Sequence, residues 1–158
     1  MKFLGKEFGY YPTSPEDDAH ADSLLAFTTD FVAEGRLVFH SKNFTESYYT
    51  QMEEVKHTVA WFENERLPKF LEYLERVAVY NAKSHSEGYM VGGTLTYVDI
   101  AVFHTVMAAE SQFAERFGVL SATIPLILAH KAKIAAIPSI AAYLESDRRG
   151  FFEGNSMM

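Results

Sequence analysis

Acid–base and metal chemistry in this chain has to come from its six histidines and 21 acidic side chains, because it contains no cysteine. That absence removes disulfides, thiolate ligands and cysteine nucleophiles together. His20, His40, His57, His85, His104 and His130 stand singly, with no HExxH or other close ligand pair, so no metal site is expected. Neither a glycine-rich phosphate loop nor a Ser/His/Asp motif is present. Glu53, Glu54, Glu63, Glu65, Glu72 and Glu75 read as solvated helix faces, and His104 as a core histidine. The sharpest local pattern is Leu95-Thr96-Tyr97-Val98-Asp99-Ile100. Its chemistry is that of a helix start. The Thr96 hydroxyl can accept the Asp99 N–H, the Asp99 carboxylate can accept the Thr96 N–H, and Leu95 and Ile100 can pack as a hydrophobic staple.

These side chains must be positioned by a chain of 158 residues, 48% hydrophobic and 15% aromatic, which fits one ordinary domain with a core of its own. The net charge of -7 opposes phosphate backbones and anionic lipid, so neither nucleic acid nor membrane is an expected partner. The N-terminal residues 1–8 hold no signal-peptide run and no stretch approaches a membrane span, which makes a cytoplasmic location the expectation.

Helix signals recur along the chain. Ser14-Pro15-Glu16-Asp17 offers a cap, an early proline and two carboxylates against the dipole, opening a helix that runs to about Phe39 or His40. A second capped start falls near Thr45. Pro68 then interrupts a long apolar period, leaving a kinked helix or two abutting helices. After a loop at 84–93, the helix from Thr96 turns Ile100, Phe103, Met107 and Phe113 inward. Pro125 and Pro138 mark two further starts, and the last helix ends near Asp147–Gly150. No alternating strand pattern appears. The reading is all-α, with five to six helices.

The stretch Gly88-Tyr89-Met90-Val91-Gly92-Gly93-Thr94-Leu95-Thr96-Tyr97-Val98-Asp99-Ile100-Ala101 resembles the loop and buried helix start in the C-terminal domain of cytosolic glutathione S-transferases. The resemblance continues through residues 124–130 and 137–144, and upstream through 4–12 and 19–23, closest to sigma-like classes. It implies the family's C-terminal helical bundle, with residues 1–13 as the end of the preceding domain's last helix plus linker, and 14–158 as the helical domain. The family's thioredoxin-like domain, with its catalytic tyrosine or serine, is missing from this sequence. No residue here takes the catalytic role, and Tyr10-Tyr11 match the linker.

The same resemblance implies a site. Asp30 aligns with an aspartate that reaches across the dimer to the γ-glutamyl amine of glutathione, a carboxylate–ammonium pairing. Arg36, Leu37, Phe39 and His40 resemble the wall of the site for the electrophilic co-substrate, with core packing the competing role for Phe39, and Phe151 and Phe152 as a lid. Ala26 and Thr29 stand where some sigma relatives carry acids, so their cation site is not expected. Glutathione is then a co-substrate, with no tightly bound cofactor, and the partners are a second copy or a thioredoxin-like domain. The resemblance implies a protein inactive without that domain, with glutathione conjugation as its enzyme chemistry. A non-catalytic assembly module of the same fold is the alternative.

Overall fold

The chain opens with α1 (Lys2–Phe8), stopped by Gly9, whose φ of 77° lies in the left-handed region that favours glycine. The structure, a computed structural model, describes residues 1–150 and Phe152. The first long helix is α2 (Pro15–Leu37), where Ser14 Oγ accepts the Asp17 N–H at 3.0 Å and Pro15 occupies the first turn. Its buried residues Ala21, Leu24, Thr28, Phe31 and Gly35 recur at spacings of three and four, which gives one inward stripe. A single 3₁₀ turn, Val38–His40, finishes it.

No helix starts at Thr45. The Asn43 side chain takes the Thr45 N–H and hydroxyl instead, a local turn that competes with helix, and Ser47 then caps a 3₁₀ turn over Tyr48–Thr50. The helix proper, α3 (Met52–Trp61), begins seven residues after Thr45. It runs through a π-turn, Phe62–Arg66, into α4 (Leu67–Asn81). The π-turn explains how Pro68 is accommodated. Proline lacks an N–H and crowds the carbonyl four residues back, and the widened turn relieves both while the rod continues.

Beyond the loop, α5 (Tyr97–Gln112) is the central helix, with residues buried on most of its circumference. It breaks at Phe113, whose ψ of 45° leaves the helical region, so α6 (Ala114–Leu120) is a separate element. Then follow α7 (Pro125–Ala135) and α8 (Pro138–Leu144). Counting α3, the π-turn and α4 as one rod, the described residues form seven helical rods and no strand. The break at Phe113 and the short α1 account for the rods beyond the expected five to six.

Aromatic rings fill the centre. Phe31 stacks on Phe70 at 4.4 Å, and Phe113 meets both Phe62 at 5.0 Å and Phe39 at 5.6 Å. Two acids depart from the solvated-face reading: Glu63 is half-buried, with its carboxyl pKa raised by desolvation, and Glu75 is turned to a neighbouring helix. The Glu75 carboxylate on α4 accepts the N–H groups of Leu126 and Ile127 at 3.1 and 3.0 Å, so it caps α7 from a neighbouring helix.

Residues 1–13 are fastened to the rest. Tyr97 N–H donates to Tyr10 C=O at 2.8 Å, Lys2 pairs with Asp22 at 2.6 Å, and Tyr11 and Tyr97 hydroxyls donate to Asp18 and Asp22. The Lys2 hydrogen bond holds the Asp22 carboxyl below its ordinary value. Burial, aided by Asp22, pushes the Tyr97 phenol up. Gly5 sits against Tyr97, where an added Cβ would meet the ring at 2.9 Å. The opposite side of α1 presents Phe3, Leu4 and Phe8 to solvent at 71%, 53% and 69% exposure.

Candidate functional site

The end of α2 and the loop after it enclose a groove of about 330 Å³ lined by Ala33, Arg36, Leu37, His40 and Phe44. The first four recur at i, i+3, i+4 and i+7, so a single helix face supplies one wall. Phe44 supplies the other from the loop. Leu37 and Phe44 are 49% and 69% exposed, a large apolar surface left open beside a guanidinium and an imidazole. Pockets of this kind hold an apolar body and orient it with few polar groups.

The His40 ring is held in place. Its Nδ1 lies 3.0 Å from the Glu46 carbonyl, and since a carbonyl only accepts, Nδ1–H is the donor. In the neutral ring this leaves the Nε2 lone pair available. The loop itself is fixed by Gln51, which is fully buried. Its Oε1 accepts the Asn43 N–H at 3.1 Å, and its Nε2 donates to the carbonyls of Asn43, Glu46 and Ser47 at 2.9, 3.3 and 3.3 Å. A buried amide satisfied in this way rigidifies the backbone around it.

Of the site residues read from sequence, Arg36, Leu37 and His40 come together in the groove. Phe39 does not. It is 4% exposed and packs on Phe113 and Tyr48, so it belongs to the core, because the 3₁₀ turn directs it and Val38 inward. Phe152 lies elsewhere, 5.4 Å from the His104 ring in a hollow of about 340 Å³ with Phe103, Met107 and Tyr143. The two hollows share no lining residue. Phe151 falls outside the described residues. Asp30 is exposed on α2, at i, i+3 and i+7 with Ala33 and Leu37, and so on the stripe that leads to the groove. Phe44 and Gln51 were missed. Phe44 carries one signal, since Leu37, His40 and Phe44 keep a three–four spacing past the end of the helix; nothing in the sequence marks Gln51.

The start of α5 differs in kind. Both halves of the capping box are present, and the carboxylate half carries the short contacts. Asp99 Oδ2 accepts the Thr96 N–H and hydroxyl at 2.8 Å each, while Oδ1 accepts the Met90 N–H at 2.7 Å and lies 3.1 Å from His130 Nε2. An ionised carboxylate only accepts, so His130 Nε2–H donates. Asp99 and His130 are 0% and 3% exposed, which makes this a sealed junction of loop, α5 and α7. His130 Nδ1 is buried without a partner among the described residues. Leu95 and Ile100 are half-buried beside the junction. His104, read as a core histidine, instead lines the Phe152 hollow and is exposed, with its ring partly covered, and desolvation lowers its pKa.

Among the described residues no group of three His, Asp or Glu side chains could hold a metal ion, and no single helix is long and apolar enough to cross a membrane.

Comparison with known proteins gives a consistent picture. A glutathione S-transferase from Plasmodium yoelii yoelii is 26% identical over 152 residues, covering 96% of this chain and 62% of that protein. Glutathione S-transferase 1 of Ascaris suum is 32% identical over 111 residues, covering 70% of this chain and 49% of its own length. Among solved structures, monomeric Na-GST-3, a glutathione S-transferase of the hookworm Necator americanus, superposes with a TM-score of 0.70 at 23% identity, covering 96% of this chain and 67% of that one. The chain thus spans less than two thirds of the length of these curated relatives. The family described as glutathione S-transferase, C-terminal domain, matches residues 39–147, more than half of the sequence and most of the helices just described, and the chain belongs to that family.

Proposed function

We propose that this chain is the helical part of a glutathione transferase, supplying the electrophile-site wall and the dimer surface for conjugation of glutathione to apolar electrophiles in the cytoplasm. The observation that carries the reading is the groove at the end of α2, with Asp30 on the stripe leading to it. An apolar co-substrate rests on Leu37 and Phe44, with Arg36 and His40 at the polar edge. Asp30 of one copy pairs with the glutathione amine bound by the other. A second groove, about 380 Å³ between α2 and α4 and lined by Leu24, Tyr73, Arg76 and Tyr80, supports contact with a second copy.

The catalytic tyrosine or serine comes from a thioredoxin-like domain, encoded with this chain or carried by another. Without that domain the helical part is inactive. Coding sequence upstream of Met1 tests this cheaply: a frame for a thioredoxin-like domain with a tyrosine or serine near its first strand supports the reading. The biochemical test is conjugation by the chain joined to that domain. Asp30→Ala is expected to raise the KM for glutathione about tenfold, roughly 1.4 kcal/mol. An unchanged KM counts against the assigned role.

A second reading, a non-catalytic assembly module, draws on the outward apolar side of α1 with Phe3, Leu4 and Phe8. Light scattering after gel filtration separates the two. A monomer that takes up no partner argues against the module.

A further inference from the structure

His130 on α7 commits Nε2–H to Asp99, which leaves Nδ1 of the neutral ring with a lone pair and no proton, buried without a partner among the described residues. A buried polar atom without a hydrogen bond is costly, and uncommon in a folded protein. His130 also lines a hollow of about 290 Å³ between the end of α4, the loop at 84–93 and α7. Small side chains leave the space open. Ala78 and Ala82 stand one turn apart on the α4 side, Leu126 and Ala129 stand beside His130 on α7, and Met90 adds a wall from the loop. The Met90 N–H is bound to Asp99 at 2.7 Å, so this wall and the His130 ring are held by one carboxylate. The hollow also meets Lys133, Glu87 and His85, the first two exposed and the third half-buried. The Lys133 ammonium lies 4.4 Å from the centre of the Tyr89 ring, and its stem passes Gly88, where an added Cβ would lie 3.9 Å from Cδ.

We propose that this hollow is a binding site for a small phenol, whose O–H donates to His130 Nδ1 while its ring lies against Ala78, Ala82, Leu126 and Ala129. Nδ1 only accepts in this tautomer, so the occupant has to donate. An anion placed there would meet a lone pair with the Asp99 carboxylate behind it, and a cation would give up its water among alanines. A neutral hydroxyl incurs neither cost, and a phenol is a stronger donor than an alkanol. The volume is at the small end for ligand pockets and suits a single ring. Nδ1 is sealed from solvent, so entry requires the Lys133–Tyr89 contact to part, and an exposed cation–π contact is weak enough to do so. The Asp99 side of the imidazole stays scaffold. The hollow shares no lining residue with the groove at the end of α2, so this site does not depend on the conjugation reading.

The test uses the full chain with isotopically labelled histidine, followed by nitrogen NMR and titrated with phenol and with fluorobenzene, a ring of similar size that has no donor. In the free chain the His130 Nδ1 resonance is expected at the position of an acceptor without a donor. Phenol is expected to move it upfield, saturably, and to bind roughly fivefold more tightly than fluorobenzene, as one neutral hydrogen bond provides. Ala129→Leu, which fills the hollow and leaves Asp99 and His130 in place, is expected to abolish the saturable shift. Should that variant fail to fold, Ala82→Leu, at an exposed position at the end of α4, is expected to do the same. A free-chain resonance already upfield and unmoved by phenol, equal binding of the two rings, shifts confined to other histidines, or a filled hollow that takes phenol as before would each overturn the proposal.

Discussion

At the start of α5 a carboxylate is sealed from solvent and answered by donors on three segments, whereas at the end of α2 two apolar side chains, Leu37 and Phe44, stand exposed beside a guanidinium and a half-buried imidazole. Among the described residues the first arrangement is saturated apart from one imidazole nitrogen. The second has surface that its own chain leaves uncovered. Polar groups buried and paired in this way specify a fold, since each lost partner strands another buried group. Exposed apolar surface that the chain itself leaves uncovered is what remains available to a ligand. The difference predicts opposite responses to substitution.

The largest expected effect is at Asp99. Asp99→Ala removes the acceptor for Met90, Thr96 and His130 together, and a cost of about 3–5 kcal/mol follows, read as a lower denaturant midpoint. A cost of about 1 kcal/mol, that of a helix cap alone, would show that the His130 and Met90 contacts contribute nothing. Next is Glu75→Ala, which leaves two N–H groups at the start of α7 without their carboxylate and is expected to cost about 1 kcal/mol. Phe44→Ala lies at the other extreme, with stability unchanged within about 0.5 kcal/mol despite the loss of a whole ring. If it destabilised the chain as a core phenylalanine does, Phe44 would be packing and not a binding wall.

The smallest effect concerns pH. Packing around the His104 ring lowers its pKa through desolvation, so the unfolded chain binds the proton more readily than the folded one. Stability from this group is therefore fully present above the ordinary histidine range and declines as pH falls through it. Solvent access to the residue keeps the change small. The slope of melting temperature between pH 7 and 5 should flatten slightly in His104→Gln, and an unaltered slope would remove His104 from the account.

Much of the fold was legible because its signals are local. Ser14 with Pro15, the Thr96–Asp99 box and the prolines at 125 and 138 each act within one turn of backbone. The errors came where distant groups compete with local ones. Thr45 looked like a cap, but Asn43 captured its N–H first. Glu75 looked solvated because its partners are 51 and 52 residues away. Phe39 and Leu37 have similar character and adjoin the same turn, and only the 3₁₀ geometry sends one to the core and the other to the groove. Gln51 was illegible for the same reason, as a polar residue gives no sequence sign that it will be buried against loop carbonyls. The candidate site was visible where it rides on the α2 period and invisible where it rides on the loop.

The claim that the open region is a working site and the sealed one is scaffold is tested most directly by conjugation kinetics on the chain joined to its thioredoxin-like domain, with Asp30→Ala and Phe44→Ala measured side by side. The account predicts a split: Asp30→Ala raises the KM for glutathione alone, and Phe44→Ala raises the KM for an apolar electrophile alone. Equal effects of both variants on both substrates, or no effect of either, would contradict it.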